Sequence, residues 1–214
     1  MSDLPHAFAP ELNARFLAAF DRAGKIVRGL DALGAAEAGG SIADRDVVLV
    51  DATDGPIRRG LAEAGARIVD APLALPLRLG QADGSADVVI GLWSAFRGNN
   101  ATETAEVDRV LRPGGRHLVV HDYGRDDVSR ILGSRPEYGA WSQRGGPFLS
   151  GGFRVRVLHC FWDFDSPEET ASFLSDAFGS AGSTVAATLK RPRLSYNVAI
   201  FHRSKPTGSE ALDC

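Results

Sequence analysis

Apolar and polar positions fall along this chain in blocks that read as strand, helix, strand. Ala86 to Trp93 is a continuous apolar run, rich in β-branched residues and too short for a helix, the pattern of a strand buried on both faces. Asn100 stands where a helix needs its cap, with Glu103 in the capping-box position, and Val107, Val110 and Leu111 recur on one helical face. Pro113, Gly114 and Gly115 stop that helix. Leu118 to His121 restarts as a second buried strand, which Asp122-Tyr123-Gly124 leaves at its carboxyl end. Such a unit predicts two parallel strands joined by a right-handed crossover. Ligands of open α/β sheets sit beyond the carboxyl ends of the strands, which places Trp93, Ser94, His121, Asp122 and Tyr123 around one crevice.

The same periodicities continue on either side. Residues 1 to 9 carry no pattern. Pro10 suits a first helical position, and Phe16, Phe20, Ala23, Val27 and Leu30 then recur at helical spacing, predicting one helix with an apolar face inside an N-terminal segment of residues 1 to 40. Ala35 to Gly40 reads as a linker. Val47 to Val50 is a strand, Ile57 to Ala64 a helix closed by Gly65, and Ala66 to Val69 a strand ending at Asp70. Asp126 or Asp127 caps a short helix through Leu132. Residues 133 to 152 form a long Gly-, Pro- and aromatic-rich loop beside the crevice, in which Tyr138, Trp141 and Phe148 wall a substrate or cover the core. Phe153 to Phe164 reads as a long strand. Ser166, Pro167 and Glu169 start a helix with Ala171, Leu174, Ala177 and Phe178 inside, ended by Gly179 to Ser183. Leu194 to His202 is a last strand, expected to run antiparallel, and residues 204 to 214 form a polar tail.

Composition narrows the function classes. At 214 residues the chain is read as one domain with a real core. Lys and Arg total 24 against 27 Asp and Glu, so there is no basic excess to hold a nucleic-acid backbone and no nucleic-acid partner is expected. Cys160 and Cys214 make no disulfide framework. No signal peptide and no membrane-spanning run is found, so a soluble cytoplasmic protein is expected.

The block from Asp83 to Val120 also carries a resemblance. DGSADVV followed by EVDRVLRPGGRHLVV resembles the second half of the S-adenosylmethionine-dependent methyltransferase core, across about forty residues. The resemblance implies a Rossmann-like, three-layer α/β sandwich with a mostly parallel sheet and an antiparallel last strand. It also implies S-adenosylmethionine as cofactor and a small-molecule substrate. The first half departs from the family, which has a turn of the type (D/E)-x-G-x-G-x-G after its first strand. Here only Gly55 survives, and Asp51 and Thr53 stand where glycines are expected, so their side chains narrow the pocket. About fifteen residues separate Asp70 from Ala86, so one βα unit is missing or shortened. Two registers fit: Val47 to Val50 as the family's first strand, which is preferred, or as its second, with Asp51 then the acid for the ribose hydroxyls.

The resemblance puts Asp51, Thr53, Gly55, Asp70, Trp93 and Ser94 on the cofactor side, and His121, Asp122 and Tyr123 near the substrate. His121 there is suited to take a proton as a methyl group attaches to an oxygen or nitrogen. The plainer alternative makes Asp122 a turn cap and His121 a satisfied strand-end residue, and Trp93 plain core. His121, Asp122, Asp126, Asp127 and His159 are metal-ligand types without a metal spacing, so no metal is expected. Lys190, Arg191 and Arg193 read as a solvated loop, with an anionic-substrate contact as the sharper alternative. No G-x-S-x-G elbow, P-loop or dinucleotide fingerprint occurs. The rival to a methyltransferase is a protein that keeps the architecture without the cofactor and serves as a binding partner or runs another reaction in the same crevice.

Overall fold

A computed structural model describes residues 8–20, 23–35, 38–51, 55–133, 135 and 137–207. Six strands form one sheet in the order β2-β1-β3-β4-β6-β5. They are β1 (Asp46–Val50), β2 (Arg67–Ala71), β3 (Ala86–Leu92), β4 (Leu111–Asp122), β5 (Arg154–Asp163) and β6 (Arg193–Ser204). β1 pairs in parallel with β2 and β3, and β3 with β4, while β6 runs antiparallel to both β4 and β5. The expected sheet, mostly parallel with an antiparallel last strand, is therefore present.

Seven helices cover it: α1 (Pro10–Ala19), α2 (Ala23–Gly34), α3 (Pro56–Glu63), α4 (Ala101–Val110), α5 (Asp127–Leu132), α6 (Pro147–Ser150) and α7 (Pro167–Ala186). One apolar layer lies between the sheet and α1, α2, α3, α5 and α7, built on Phe16, Ile26, Leu30, Leu61, Leu118 and Trp162. The other lies under α4 and α6, with Val48, Val89, Val107, Phe148 and Phe201. Alternate residues of β1, β3 and β4 feed the two layers, which explains why these strands read as unbroken apolar runs.

On the side of β1 away from β3 the sheet holds one strand, where a doubly wound sheet of order 3-2-1-4-5-6 holds two. β1 stands between β2 and β3, a placement that both registers allow. In place of a helix and a strand, residues 72–80 run across the second layer and insert Leu73, Leu77 and Leu79. Glu106 on α4 fixes this segment: its carboxylate accepts from Leu79 N at 2.7 Å and pairs with Arg109 at 2.8 Å. The missing strand leaves β2 as an edge, with Val69 53% exposed.

Three boundaries differ from those read in the sequence. The expected N-terminal helix is two helices, because Phe20 leaves helical geometry (ψ 67°) to stack between Phe16 and Tyr196. Pro113 to Gly115 do not separate helix from strand. β4 begins at Leu111, and these residues form an irregularity within it, where Gly114 takes φ 76° and a Cβ on Gly115 would press on the Arg112 and Asp87 carbonyls. Gly179 kinks α7 rather than ending it: its φ of 57° with ψ −135° is open to glycine, and the helix resumes to Ala186. The Asn100 cap on α4 is present, its side chain accepting from Glu103 N at 2.8 Å, as is the Ser166 cap on α7. The expectations for Thr53, residues 1 to 7 and residues 208 to 214 lie outside the described residues.

Candidate functional site

β1 sends the chain to β2 on one side, while β3 flanks β1 on the other, so the topological switch point lies at the carboxyl ends of β1 and β3. Asp51 follows β1 in the left-handed region (φ 55°), and its N–H donates to Ala71 O at 2.7 Å. Its carboxylate accepts from Ser94 Oγ at 2.6 Å, so the two expected cofactor-side residues bridge the switch point. Gly55 is the extended N-cap of α3, ahead of Pro56 at the first helical position. Asp70, at the end of β2, is held by the guanidinium of Arg58, Nε at 3.0 Å and Nη2 at 2.9 Å.

The turn after β3 is backbone-strained. Trp93, Phe96 and Asn99 all have positive φ without being glycines. Side-chain contacts hold the turn in this form. Phe96 lies flat on β3 because Gly91 has no Cβ, which would stand 2.3 Å from the ring. Asn99 Oδ1 accepts from Thr104 at 2.7 Å. Trp93 Nε1 donates to Asp122 Oδ1 at 2.9 Å, and the Tyr196 hydroxyl donates to the same oxygen. Burial nevertheless pushes the Asp122 carboxyl above its ordinary value, against those two donors, and raises the Tyr196 hydroxyl so that it stays a donor.

Asp122 and His121 line a cavity of 50 Å³ with Trp93, Tyr138, Trp141, Glu137, Arg97 and Arg135. A space of that size holds a water or two. Arg97 closes one side: it pairs with Glu137, donates to Trp93 O at 3.1 Å, and sits 5.5 Å from the Trp141 ring centroid. His121 is 2% exposed, with Nε2 3.4 Å from Phe96 O and its ring edge-on to Trp141 at 4.6 Å. Burial pushes it down to about 3, so the imidazole is neutral. Tyr123 packs against the second apolar layer, with Arg125 5.9 Å from its ring centroid.

The expected site residues thus fall into two neighbouring groups: Asp51 with Ser94 and, further out, Gly55 and Asp70; and Trp93 with His121 and Asp122. The acids after β4 are structural. Asp126 caps α5 through Ser129 N at 2.7 Å, and Asp127 accepts from Ser195 N at 2.9 Å. Among the described residues no group of three metal-ligating side chains gathers, and no helix is long and apolar enough to cross a membrane. Arg97, Arg135, Glu137 and Tyr196 were not singled out in the sequence. Tyr196 comes from a strand seventy-four residues beyond Asp122, and nothing local marks the pairing.

No protein-family model and no curated protein matches the sequence. Solved structures do. A proposed type II methyltransferase from Anaeromyxobacter dehalogenans superposes with a TM-score of 0.53 at 18% identity, covering 85% of this chain and 96% of that one. An S-adenosylmethionine-dependent methyltransferase from Aquifex aeolicus gives 0.49 at 13%, covering 92% and 98%. A proposed methyltransferase from Bacillus halodurans gives 0.48 at 15%, covering 86% and 99%. The first establishes that the chain has the Rossmann-like fold of class I methyltransferases; at that identity the likeness concerns fold alone.

Proposed function

We propose that this protein is an S-adenosylmethionine-dependent methyltransferase acting on a small molecule. The observation that supports this most is the bridge from Asp51 to Ser94 across the switch point, next to a second group, Trp93 with Asp122, that reaches the substrate side. The residues present fit the cofactor's polar groups: the carboxylates of Asp51 and Asp70, at the ends of β1 and β2, accept from ribose hydroxyls or the amino group. Asp51, Gly55, Asp70, Trp93 and Ser94 would hold it, together with Thr53. When bound, the cofactor supplies an electrophilic methyl group on a sulfonium.

The protein's own task is then placement and proton removal. Asp122 suits the latter: both described hydrogen bonds go to one oxygen, the carboxyl borders the cavity, and burial raises its proton affinity. His121, neutral and packed on Trp141, shapes the wall, and Tyr123 supports the chain leaving β4.

The rival reading is a methyltransferase-fold protein that binds no cofactor. Asp51 is engaged by Ser94 and Asp70 by Arg58, and the neighbouring cavity, walled by Glu137 and Arg97, is 50 Å³. Calorimetric titration with S-adenosylhomocysteine separates the two. Saturable heat that weakens in Asp70→Ala and in Gly55→Val is expected. Absence of both heat and thermal shift at millimolar ligand would leave the second reading.

A further inference from the structure

We infer that the edge of β5 turned away from β6, which no strand among the described residues pairs, is a docking site for an extended acidic peptide segment, which adds to the sheet as a further strand. Phe164 N donates to Pro192 O at 2.8 Å, so in this antiparallel register the even-numbered residues of β5 turn their main-chain groups toward β6. The odd-numbered residues, Val155, Val157 and His159, turn theirs outward. Lys25 Nζ donates to the outward carbonyl of His159 at 3.0 Å, which marks one end of the open edge. Beside it, between α2 and β5, runs a groove of 290 Å³ whose lining includes Lys25, Arg28, Gly29, Arg156 and Leu158. Gly29 lets α2 approach this closely, since a Cβ there would stand 2.9 Å from Ile200 and 3.0 Å from Leu158.

Charge complementarity selects the occupant. Arg28, Arg154 and Arg156 are exposed, and among the described residues no carboxylate pairs with them or with Lys25. The other edge of the sheet is different. There Arg67 of β2 pairs with Asp46 at 2.8 Å, and Asp70 of β2 holds Arg58 at 2.9 Å, so these cations are already neutralised. Unpaired arginines on an edge strand also discourage pairing with a second, equally basic copy. A strand bearing glutamates or aspartates at alternate positions meets both requirements. Its main chain completes the hydrogen bonds of Val155 and Val157, and its carboxylates lie opposite or diagonal to Arg154 and Arg156. A nucleic-acid strand would use the charge and leave the main-chain edge unmet.

The test is fluorescence anisotropy with a short labelled peptide of alternating glutamate and valine. Two competitors accompany it: the same peptide with proline at its central valine, which keeps the charge and loses a main-chain donor, and a short oligothymidylate. Saturable binding is expected, the proline peptide competing about tenfold more weakly than the unlabelled parent peptide and Arg154→Glu with Arg156→Glu lowering affinity about tenfold, the milder Arg154→Gln with Arg156→Gln falling between. Circular dichroism and the thermal midpoint verify that the variants fold. No saturable binding, equal binding of the proline peptide, or tighter binding of the oligothymidylate would each overturn the inference.

Discussion

Two histidines on β4 set the molecule's response to acid. His117 is fully buried between the Phe96 and Phe153 rings, at 4.6 and 5.1 Å, and neither ring nitrogen has a partner. Burial, with Arg203 nearby, holds it well below its ordinary 6.5, and burial pushes His121 down to about 3. Both rings are neutral in the folded chain and take up protons in the unfolded chain below 6.5. Their contribution is therefore intact above that pH and is lost as pH falls toward the folded values. Each ring removes about 1.4 kcal/mol of stability per pH unit below 6.5. The buried carboxyls Asp122 and Asp126 are shifted upward by burial and change stability in the opposite sense, above their ordinary 3.8. Urea unfolding followed from pH 7 to about pH 5 is expected to lose about 2 kcal/mol per ring, and His117→Leu to remove one ring's share. A flat profile in wild type would contradict this assignment. His121 and Asp122 were legible as strand-end candidates because position in a strand-helix-strand unit fixes them. The protonation state of His121 was not, since it depends on Trp141 and Phe148, which arrive from a distant loop.

Among the elements, those with local signals were legible. The caps of α4 and α7 and the buried runs of β3 and β4 were read directly, because capping and burial pattern are written in a few adjacent residues. The extent of β4 was not: Pro113 and two glycines signal a break, and only pairing with β3 decides that the break is an irregularity inside a strand. Residues 72–80 present the same lesson in another form. Their length showed that a unit was absent, but not that Glu106 would anchor the substitute. The Glu106 carboxylate, 4% exposed on its side chain, is held below its ordinary value by the Arg109 guanidinium and by the Leu79 N–H, against burial. Glu106→Leu strands the Leu79 N–H and leaves Arg109 only Asp83 and the Leu79 and Gln81 carbonyls, and a loss of about 2 kcal/mol is expected by chemical denaturation, with new proteolytic cutting between residues 72 and 81. A variant of unchanged stability and protease resistance would show that the leucines alone hold the segment.

At the scale of the whole molecule, a mostly parallel sheet with an antiparallel last strand was legible from the alternation of elements and the resemblance of residues 83 to 120, and the sheet has that form. The cofactor region was not, because the residues that depart from the family pattern, Asp51 above all, form contacts that no spacing encodes. Asp51 keeps a left-handed backbone that glycine would adopt freely, and then spends its carboxylate on Ser94. On the proposed function, cofactor binding has this bridge yield to a nucleoside and Asp70 exchange Arg58 for a ribose. The most direct measurement is a crystal structure of the protein grown in millimolar S-adenosylhomocysteine. Nucleoside density over the ends of β1 and β3, with Ser94 drawn away from Asp51, is the expected result. An intact Asp51–Ser94 bridge and no ligand density at the strand ends would contradict it.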